Sequence, residues 1–145
     1  PEPVFSACFG APFLPLHPTV YAEMLGKKME SDDVKICMIN TGWTGGGFGV
    51  GERIQLKYTR AMITAILEQK LNHVGYRTHS IYGTEIPLTC PQVPSQILSP
   101  RETWKDDVAF YKQANELAQQ FIENFKNFES YATEEILAGG PKLKV

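Results

Sequence analysis

A glycine-rich loop is the first stretch of this sequence whose residue types could do chemistry. It runs from Asn40 to Gly51 and has five glycines between positions 45 and 51. Gly46 and Gly51 have the spacing of a phosphate-binding Walker loop, which continues with Lys and then Ser or Thr. This chain has Glu52 and Arg53 at those two positions. Because a carboxylate there would repel a triphosphate, the loop is not expected to cradle phosphates directly.

The same loop does not fit the dinucleotide-binding fingerprint either. After Gly45 and Gly47, the position of the third required glycine is occupied by Val50. The spacing therefore favours a surface loop whose glycines adopt positive φ angles. Two aromatic residues, Trp43 and Phe48, either close over a ligand or only pin the loop down.

A second group of residues follows the loop at a predicted corner between a strand and a helix. If Arg53 to Leu56 is a short strand and a helix begins near Lys57, then Arg53, Ile54 and Thr59 surround one corner. A guanidinium can stack on a planar base or bind a phosphate. Ile54 could supply an apolar edge and a backbone polar group, and Thr59 one hydrogen bond. The plain alternative is an exposed arginine beside a threonine at the start of a helix.

The other reactive side chains do not have the spacing of a catalytic or metal site. The histidines are far apart, at His17, His73 and His79. The carboxylates occur as adjacent pairs, which point in different directions on a helix, at Asp32–Asp33, Asp106–Asp107 and Glu134–Glu135. The cysteines are odd in number and widely spaced, at Cys8, Cys37 and Cys90. The residues therefore predict reduced thiols, with no catalytic residue and no metal ligand in this segment.

Composition limits the class of protein. The 145 residues suit one domain, and 43% hydrophobic and 21% charged residues are close to globular averages. A net charge of −2 argues against a nucleic-acid partner and against a polybasic membrane surface. No apolar run is long enough to span a bilayer, and the first residues do not resemble a signal peptide. The expected location is the cytoplasm.

Hydrophobic spacing predicts the elements that would position the loop and the corner. A helix starts at Pro18 and stops at Ser31 to Asp33, and Val34 to Ile39 has the composition of a buried strand. After the loop, a helix is predicted over Tyr58 to Val74 and a strand over Tyr76 to Tyr82.

The second half of the chain is predicted to be extended and then helical. Thr84 to Arg101 contains four prolines and should run over a surface. A helix is predicted from about 103 to 128, and a short one over Glu134 to Leu137 ends at Gly139. The apolar face of the long helix is predicted to comprise Trp104, Val108, Tyr111, Leu117, Ala118, Phe121, Ile122 and Phe125. The fold class is therefore α/β, and two or three strands are too few for a complete sheet.

Four runs of the sequence resemble the ATP-dependent phosphoenolpyruvate carboxykinases. They are Phe5–Pro18, Asn40–Leu67, Ile97–Arg101 and Gly139–Leu143, so the resemblance covers essentially the whole chain. It implies that this chain is the C-terminal part of a much longer enzyme and an incomplete part of its mononucleotide-binding domain. It departs from the family at Glu52, where members often have a basic or small residue, and in the length of the glycine loop.

The resemblance also implies a role for the strand-to-helix corner. The family's ATP contacts in this region fall on Arg53, Ile54 and Thr59, at the adenosine side of the nucleotide. The family's phosphate loop, metal ligands, catalytic lysine and oxaloacetate-binding arginine lie upstream and have no counterpart here. The parent reaction converts oxaloacetate and ATP to phosphoenolpyruvate, ADP and carbon dioxide in gluconeogenesis, assisted by Mg²⁺ and a protein-bound Mn²⁺.

The expected organisation is one segment with four parts. Residues 1–17 would be an apolar stretch next to the active-site lid, and 18–82 a helix–strand–loop–helix–strand unit. Residues 83–102 would be the proline-rich connection, and 103–145 the C-terminal helices. The expected partner is the N-terminal part of the same enzyme. The alternatives are a stand-alone adenine-nucleotide-binding domain and a structural module that packs on a partner without catalysis.

Overall fold

The computed structural model describes residues 4–6, 10–31 and 34–144. The chain divides into two compact units, one formed by residues 1–36 with 122–140 and the other by residues 37–121 with 141–145. The α-helices are α1 (Pro18–Ser31), α2 (Leu56–Leu67), α3 (Ser95–Leu98), α4 (Asp107–Phe125) and α5 (Glu134–Ala138). The strands are β1 (Trp43–Thr44), β2 (Glu52–Arg53), β3 (Tyr76–Thr78) and β4 (Glu85–Pro87). Short 3₁₀ turns cover Ala11–Phe13, Pro100–Thr103 and Glu129–Tyr131.

The first unit confirms two helices predicted from their terminal residues. α1 begins at Pro18, where a residue without a backbone N–H donor is tolerated. The Thr133 side chain caps α5 by accepting a hydrogen bond from the Ile136 N–H at 3.3 Å. That helix ends at the glycine cap Gly139, as expected. Cys8 and the predicted helix-ending Asp32–Asp33 lie outside the described residues.

The second unit contains two separate antiparallel hairpins. β1 pairs with β2 in the register Trp43↔Arg53 and Thr44↔Glu52. β3 pairs with β4 in the register Tyr76↔Pro87, Arg77↔Ile86 and Thr78↔Glu85. The α/β content is therefore confirmed, with few and short strands. None of the described helices is long and apolar enough to cross a membrane.

Two small apolar clusters form the core of the second unit. One contains Ile81, Phe110, Ala114 and Ala118, and Tyr82, Trp104 and Tyr111 pack around it. The other contains Ala65, Cys90 and Val93. Cys90 is a buried free thiol, and the free thiol Cys37 is exposed.

The buried face of α4 agrees with the predicted one only in part. Ala118 is buried as predicted, whereas the predicted Val108 is 77% exposed, and Phe110 and Ala114 are buried although they were not on the predicted face. Two small alanines lie on the buried face because they let the backbone approach Ile81 and Tyr82 closely. α4 also begins at Asp107, so Trp104 lies before the helix rather than on its face.

Other parts of the sequence-based prediction are also wrong, and the predicted strand over Tyr76 to Tyr82 is limited to β3 (Tyr76–Thr78). Val34 to Ile39 forms no strand and is largely exposed, because the described residues offer it no strand to pair with. α2 stops at Leu67 rather than near Val74, since Gln69 adopts a left-handed φ of 56° and the Lys70 N–H closes the helix end. The segment 84–101 is not simply extended, because it contains β4, α3 and part of a 3₁₀ turn and buries Ser99.

Candidate functional site

The β1–β2 hairpin and the start of α2 place the three predicted site residues around one corner. Arg53 ends β2, Ile54 and Gln55 form the corner, and Thr59 lies in the first turn of α2, which begins at Leu56. Arg53 is exposed, whereas Ile54 is 9% and Thr59 7% exposed. The corner therefore presents the Arg53 cation to solvent, while Ile54 and Thr59 are buried.

The Arg53 guanidinium is available to a ligand. Within residues 4–6, 10–31 and 34–144, no carboxylate forms an ion pair with it. Two of the other three arginines differ, because Arg77 pairs with Glu102 at 3.1 Å and Arg101 pairs with Asp107, whereas Arg60 forms no ion pair among the described residues either. A planar, permanently charged group without a protein partner can stack on a base or bind an anion.

Ile54 is a buried residue whose backbone departs from a regular antiparallel ladder. Its N–H donates to the Gly42 carbonyl at 2.9 Å. In a regular antiparallel ladder the Gly42 N–H would donate back to the Ile54 carbonyl. Here the Gly42 N–H donates to the Asn40 Oδ1 at 2.9 Å instead. The Ile54 carbonyl thereby loses its ladder donor and can accept a hydrogen bond from a ligand.

Asn40 is a functional candidate that the sequence did not reveal. Its Oδ1 accepts from Gly42, and its Nδ2 donates to the Trp43 carbonyl at 3.2 Å. This is the local side-chain turn that asparagine favours two residues before a glycine. The pattern Asn40-Thr-Gly42 could have indicated the turn, but its effect on Ile54 depends on the register of the hairpin.

The glycine loop is held at its base and open at its tip. The hydroxyls of Thr44 and Thr103 are hydrogen-bonded at 2.7 Å. Gly45 has a φ of 75°, and a Cβ there would lie 2.8 Å from the Thr103 carbonyl oxygen. Phe48 and Val50 at the tip are exposed. The expected positive φ angles are confirmed at Gly45, Gly46 and Gly49.

A separate cleft of about 360 Å³ opens along α2. Its charged lining consists of Lys57, Arg60, Lys70 and Glu68, and the last two form an ion pair. Arg53, Ile54 and Thr59 do not line it. The predicted site is therefore an exposed corner rather than this cleft.

Perturbed titrations occur away from the corner. Burial, and then the nearby Arg77 charge, lowers the pKa of His79 below its ordinary value. Burial raises the pKa of Tyr82 and of the Cys90 thiol. In the part of the chain that the structure describes, no three His, Cys, Asp or Glu side chains are grouped to hold a metal ion.

Comparison with known proteins identifies close relatives. A family model for phosphoenolpyruvate carboxykinase matches residues 1–96. A phosphoenolpyruvate carboxykinase (ATP) of Flavobacterium johnsoniae is 60% identical over 141 residues, which are 97% of this chain and 26% of that protein.

More distant relatives match over the same length. The proteins of the same name from Brevibacillus brevis and Thermus thermophilus are 52% and 49% identical, over 99% of this chain and 27% of each relative. The chain thus spans about a quarter of the length of the curated relatives that it matches.

Proposed function

Because this chain belongs to the phosphoenolpyruvate carboxykinase family, we propose that it holds the adenosine end of ATP in an ATP-dependent carboxykinase. The observation that carries the proposal is that two polar groups at the corner lack protein partners in the described part of the chain. The Ile54 carbonyl lacks its ladder donor, and the neighbouring Arg53 guanidinium has no carboxylate partner among the described residues.

These two groups suit adenine. The exocyclic amine of adenine is a hydrogen-bond donor, so it can donate to the Ile54 carbonyl, whereas guanine has a carbonyl oxygen at that position. The Arg53 guanidinium can lie against the face of the base and add a cation–π contribution. Thr59 is 7% exposed, so its share is limited to one hydrogen bond from the wall of the corner.

The segment's part in the reaction is positioning. In the proposed parent reaction, oxaloacetate loses carbon dioxide and the resulting enolate oxygen takes the γ-phosphoryl group of ATP, giving phosphoenolpyruvate and ADP. Catalysis of such transfers is mostly positioning and charge neutralisation. In the described residues no three His, Cys, Asp or Glu side chains are grouped to hold Mg²⁺ or Mn²⁺.

The proposal places this chain within a larger domain. The remaining three quarters of the enzyme would supply the phosphate loop, the metal ligands and the oxaloacetate site. Residues 18–82 would then be the nucleotide-contacting part of a mononucleotide-binding domain in a cytoplasmic enzyme, with residues 1–17 next to its lid. The connection 83–102 and the helices 103–145 would support it.

Photo-cross-linking with 8-azido-ATP tests the proposal in the full-length carboxykinase that carries this segment. The azide sits on the base, so the label should map to a peptide within residues 40–60 and disappear with excess ATP. An Arg53→Ala enzyme should lose most of the labelling. Equal labelling of the isolated chain would favour the stand-alone alternative. Labelling confined to peptides outside residues 40–60 would contradict the assignment of adenine to this corner.

A further inference from the structure

The hairpin register places Trp43 beside Arg53 on one face. The hydrogen bond from the Ile54 N–H to the Gly42 carbonyl identifies Ile54 and Gly42 as a hydrogen-bonded pair. In an antiparallel ladder such pairs alternate with non-hydrogen-bonded pairs, so Trp43 and Arg53, which are opposite each other, form the next pair of the second kind. Side chains of that kind of pair are the closest across two strands, with Cβ atoms about 4.5–5.5 Å apart.

Trp43 is fixed in place but not covered. The Phe48 ring meets the indole edge-on, with centroids 5.4 Å apart and an interplanar angle of 86°. The Asn40 amide donates to the backbone carbonyl of Trp43. Even so, Trp43 is 38% exposed. An aromatic ring that packs edge-on against one neighbour and is still open to solvent can stack on a planar ligand.

Trp43 and Arg53 also form no cation–π contact with each other. Among the described residues, the cation–π contacts join Lys57 to Tyr58 and Lys144 to Tyr111. The Trp43 indole and the Arg53 guanidinium are therefore two planar groups on paired strands that do not stack on each other.

We infer that Trp43 contacts the nucleotide base directly, with its indole as one wall of the adenine site and the Arg53 guanidinium as the other. This inference rests on the proposed function. A base between two planar groups needs them about 7–8 Å apart, twice the normal contact distance between ring atoms. Stems about 5 Å apart that carry long side chains can diverge to that separation.

The inference gives the glycine loop a function beyond connecting two strands. The loop carries Phe48 back onto the indole, and its base is held by the hydrogen bond between Thr44 and Thr103. Phe48 and Asn40 act through Trp43 and are positioning residues. The alternative is that Trp43 and Phe48 only hold the loop together.

Fluorine NMR of the full-length carboxykinase labelled with 5-fluorotryptophan distinguishes these two roles. The resonance of Trp43 is assigned as the one that a Trp43→Leu enzyme lacks. ATP and adenosine should shift it, saturating at the affinity measured by calorimetry, while inorganic triphosphate should not. Trp104 is the internal control, because it packs on Phe110 in the core with centroids 5.8 Å apart and should not respond.

Calorimetry of the Trp43→Leu enzyme provides the second measurement. Losing a stacked aromatic should weaken ATP and adenosine binding about tenfold and leave triphosphate binding unchanged. If ATP binds with an affinity that depends on Arg53 but the Trp43 resonance does not move, the inference is wrong and the proposed function stands. If ATP binding does not depend on Arg53, both are wrong. If the leucine variant fails to fold, a Trp43→Phe enzyme assigns the same resonance, and the response of that resonance in the enzyme with native Trp43 decides the question.

Discussion

Asn40 controls the candidate site through a backbone group that it does not touch. By accepting the Gly42 N–H, it keeps that donor away from the Ile54 carbonyl. In an Asn40→Ala enzyme the Gly42 N–H is free to donate to the Ile54 carbonyl and complete the ladder. It then competes with the adenine amine for that carbonyl. Since a net hydrogen bond is worth about 1 kcal/mol, the ATP KM of the full-length enzyme should rise about fivefold.

A matched variant separates this effect from a general loss of structure. Serine can accept an N–H two residues on, although more weakly than asparagine, so Asn40→Ser should recover part of the ATP affinity. Steady-state kinetics at saturating oxaloacetate measures both variants. An Asn40→Ala enzyme with an unchanged ATP KM would show that the Ile54 carbonyl is not used by the nucleotide.

His79 makes the stability of the second unit depend on pH. Its Nδ1 accepts the N–H groups of Ile81 at 3.2 Å and Tyr82 at 3.3 Å, which requires a ring without a proton on that nitrogen. Burial and Arg77 lower its pKa in the folded state, so the unfolded chain binds the proton more readily. The stabilisation is therefore complete above about pH 6.5 and is lost as the pH falls through the lowered folded pKa.

Urea denaturation between pH 7 and pH 5 tests this dependence. An asparagine side chain can accept at a similar position without titrating, so His79→Asn should lose less stability on acidification than the native chain. The exposed His73 is the control, and His73→Asn should follow the native pH dependence. Parallel curves for the native chain and His79→Asn would contradict the role assigned to this ring.

At the scale of elements, the β1–β2 hairpin requires a residue without a Cβ at position 51. A Cβ on Gly51 would collide with the carbonyl oxygens of Thr44 and Gly46, which are backbone atoms that cannot move aside. Gly51→Ala should therefore destabilise the hairpin by about 1–3 kcal/mol and raise the ATP KM. Gly47 meets nothing within 4 Å and is the matched control, with an expected change within about 0.5 kcal/mol. Urea denaturation and ATP kinetics of both variants measure the difference.

The elements that could be predicted from sequence are those with local end signals. Pro18 marks the start of α1 because it lacks a backbone N–H, and α5 ends at Gly139 as predicted, although this glycine has an ordinary φ of −77°. The buried face of α4 could be predicted in this way only in part. Ala118 belongs to the predicted face, whereas the burial of the small residue Ala114 is revealed only by the packing against Ile81.

The candidate site was predictable to a similar degree. The spacing of Arg53, Ile54 and Thr59 placed them at one corner, since chain order alone brings neighbours together. The availability of the Ile54 carbonyl and the position of Trp43 beside Arg53 depend on the strand register. In a hairpin the register is set by the geometry of the connecting loop, and the glycine-rich loop of this chain has no pattern of a standard hairpin turn that specifies it.

At the scale of the whole molecule, much apolar surface is exposed in the described chain. Phe13 is 88% and Met38 80% exposed, and Val34 and Ile36 are also exposed. Contiguous exposed apolar residues are typical of surfaces that contact other protein, and Val34, Ile36 and Met38 are exposed in one short stretch of the chain. The isolated chain should therefore bind a hydrophobic dye such as ANS more strongly than the full-length carboxykinase does, per mole of protein.

Substitution at the exposed surface provides the control for that prediction. Met38→Ser and Phe13→Ser should each reduce dye fluorescence of the isolated chain without changing its far-ultraviolet circular dichroism. An isolated chain that is monodisperse and binds no dye would count against an interface with the rest of a larger enzyme.

The kinetics of an Arg53→Ala full-length carboxykinase test the central claim most directly. A guanidinium stacked on adenine is worth about 1–2 kcal/mol when desolvated, and adenine takes no part in bond breaking. The contact is then equally strong in the ground state and the transition state, so its loss appears in KM and not in kcat. We predict an ATP KM about 5- to 30-fold higher, kcat within about threefold and an unchanged oxaloacetate KM, with partial recovery in Arg53→Lys. A large fall in kcat with an unaltered ATP KM would contradict the assignment of this corner to adenosine.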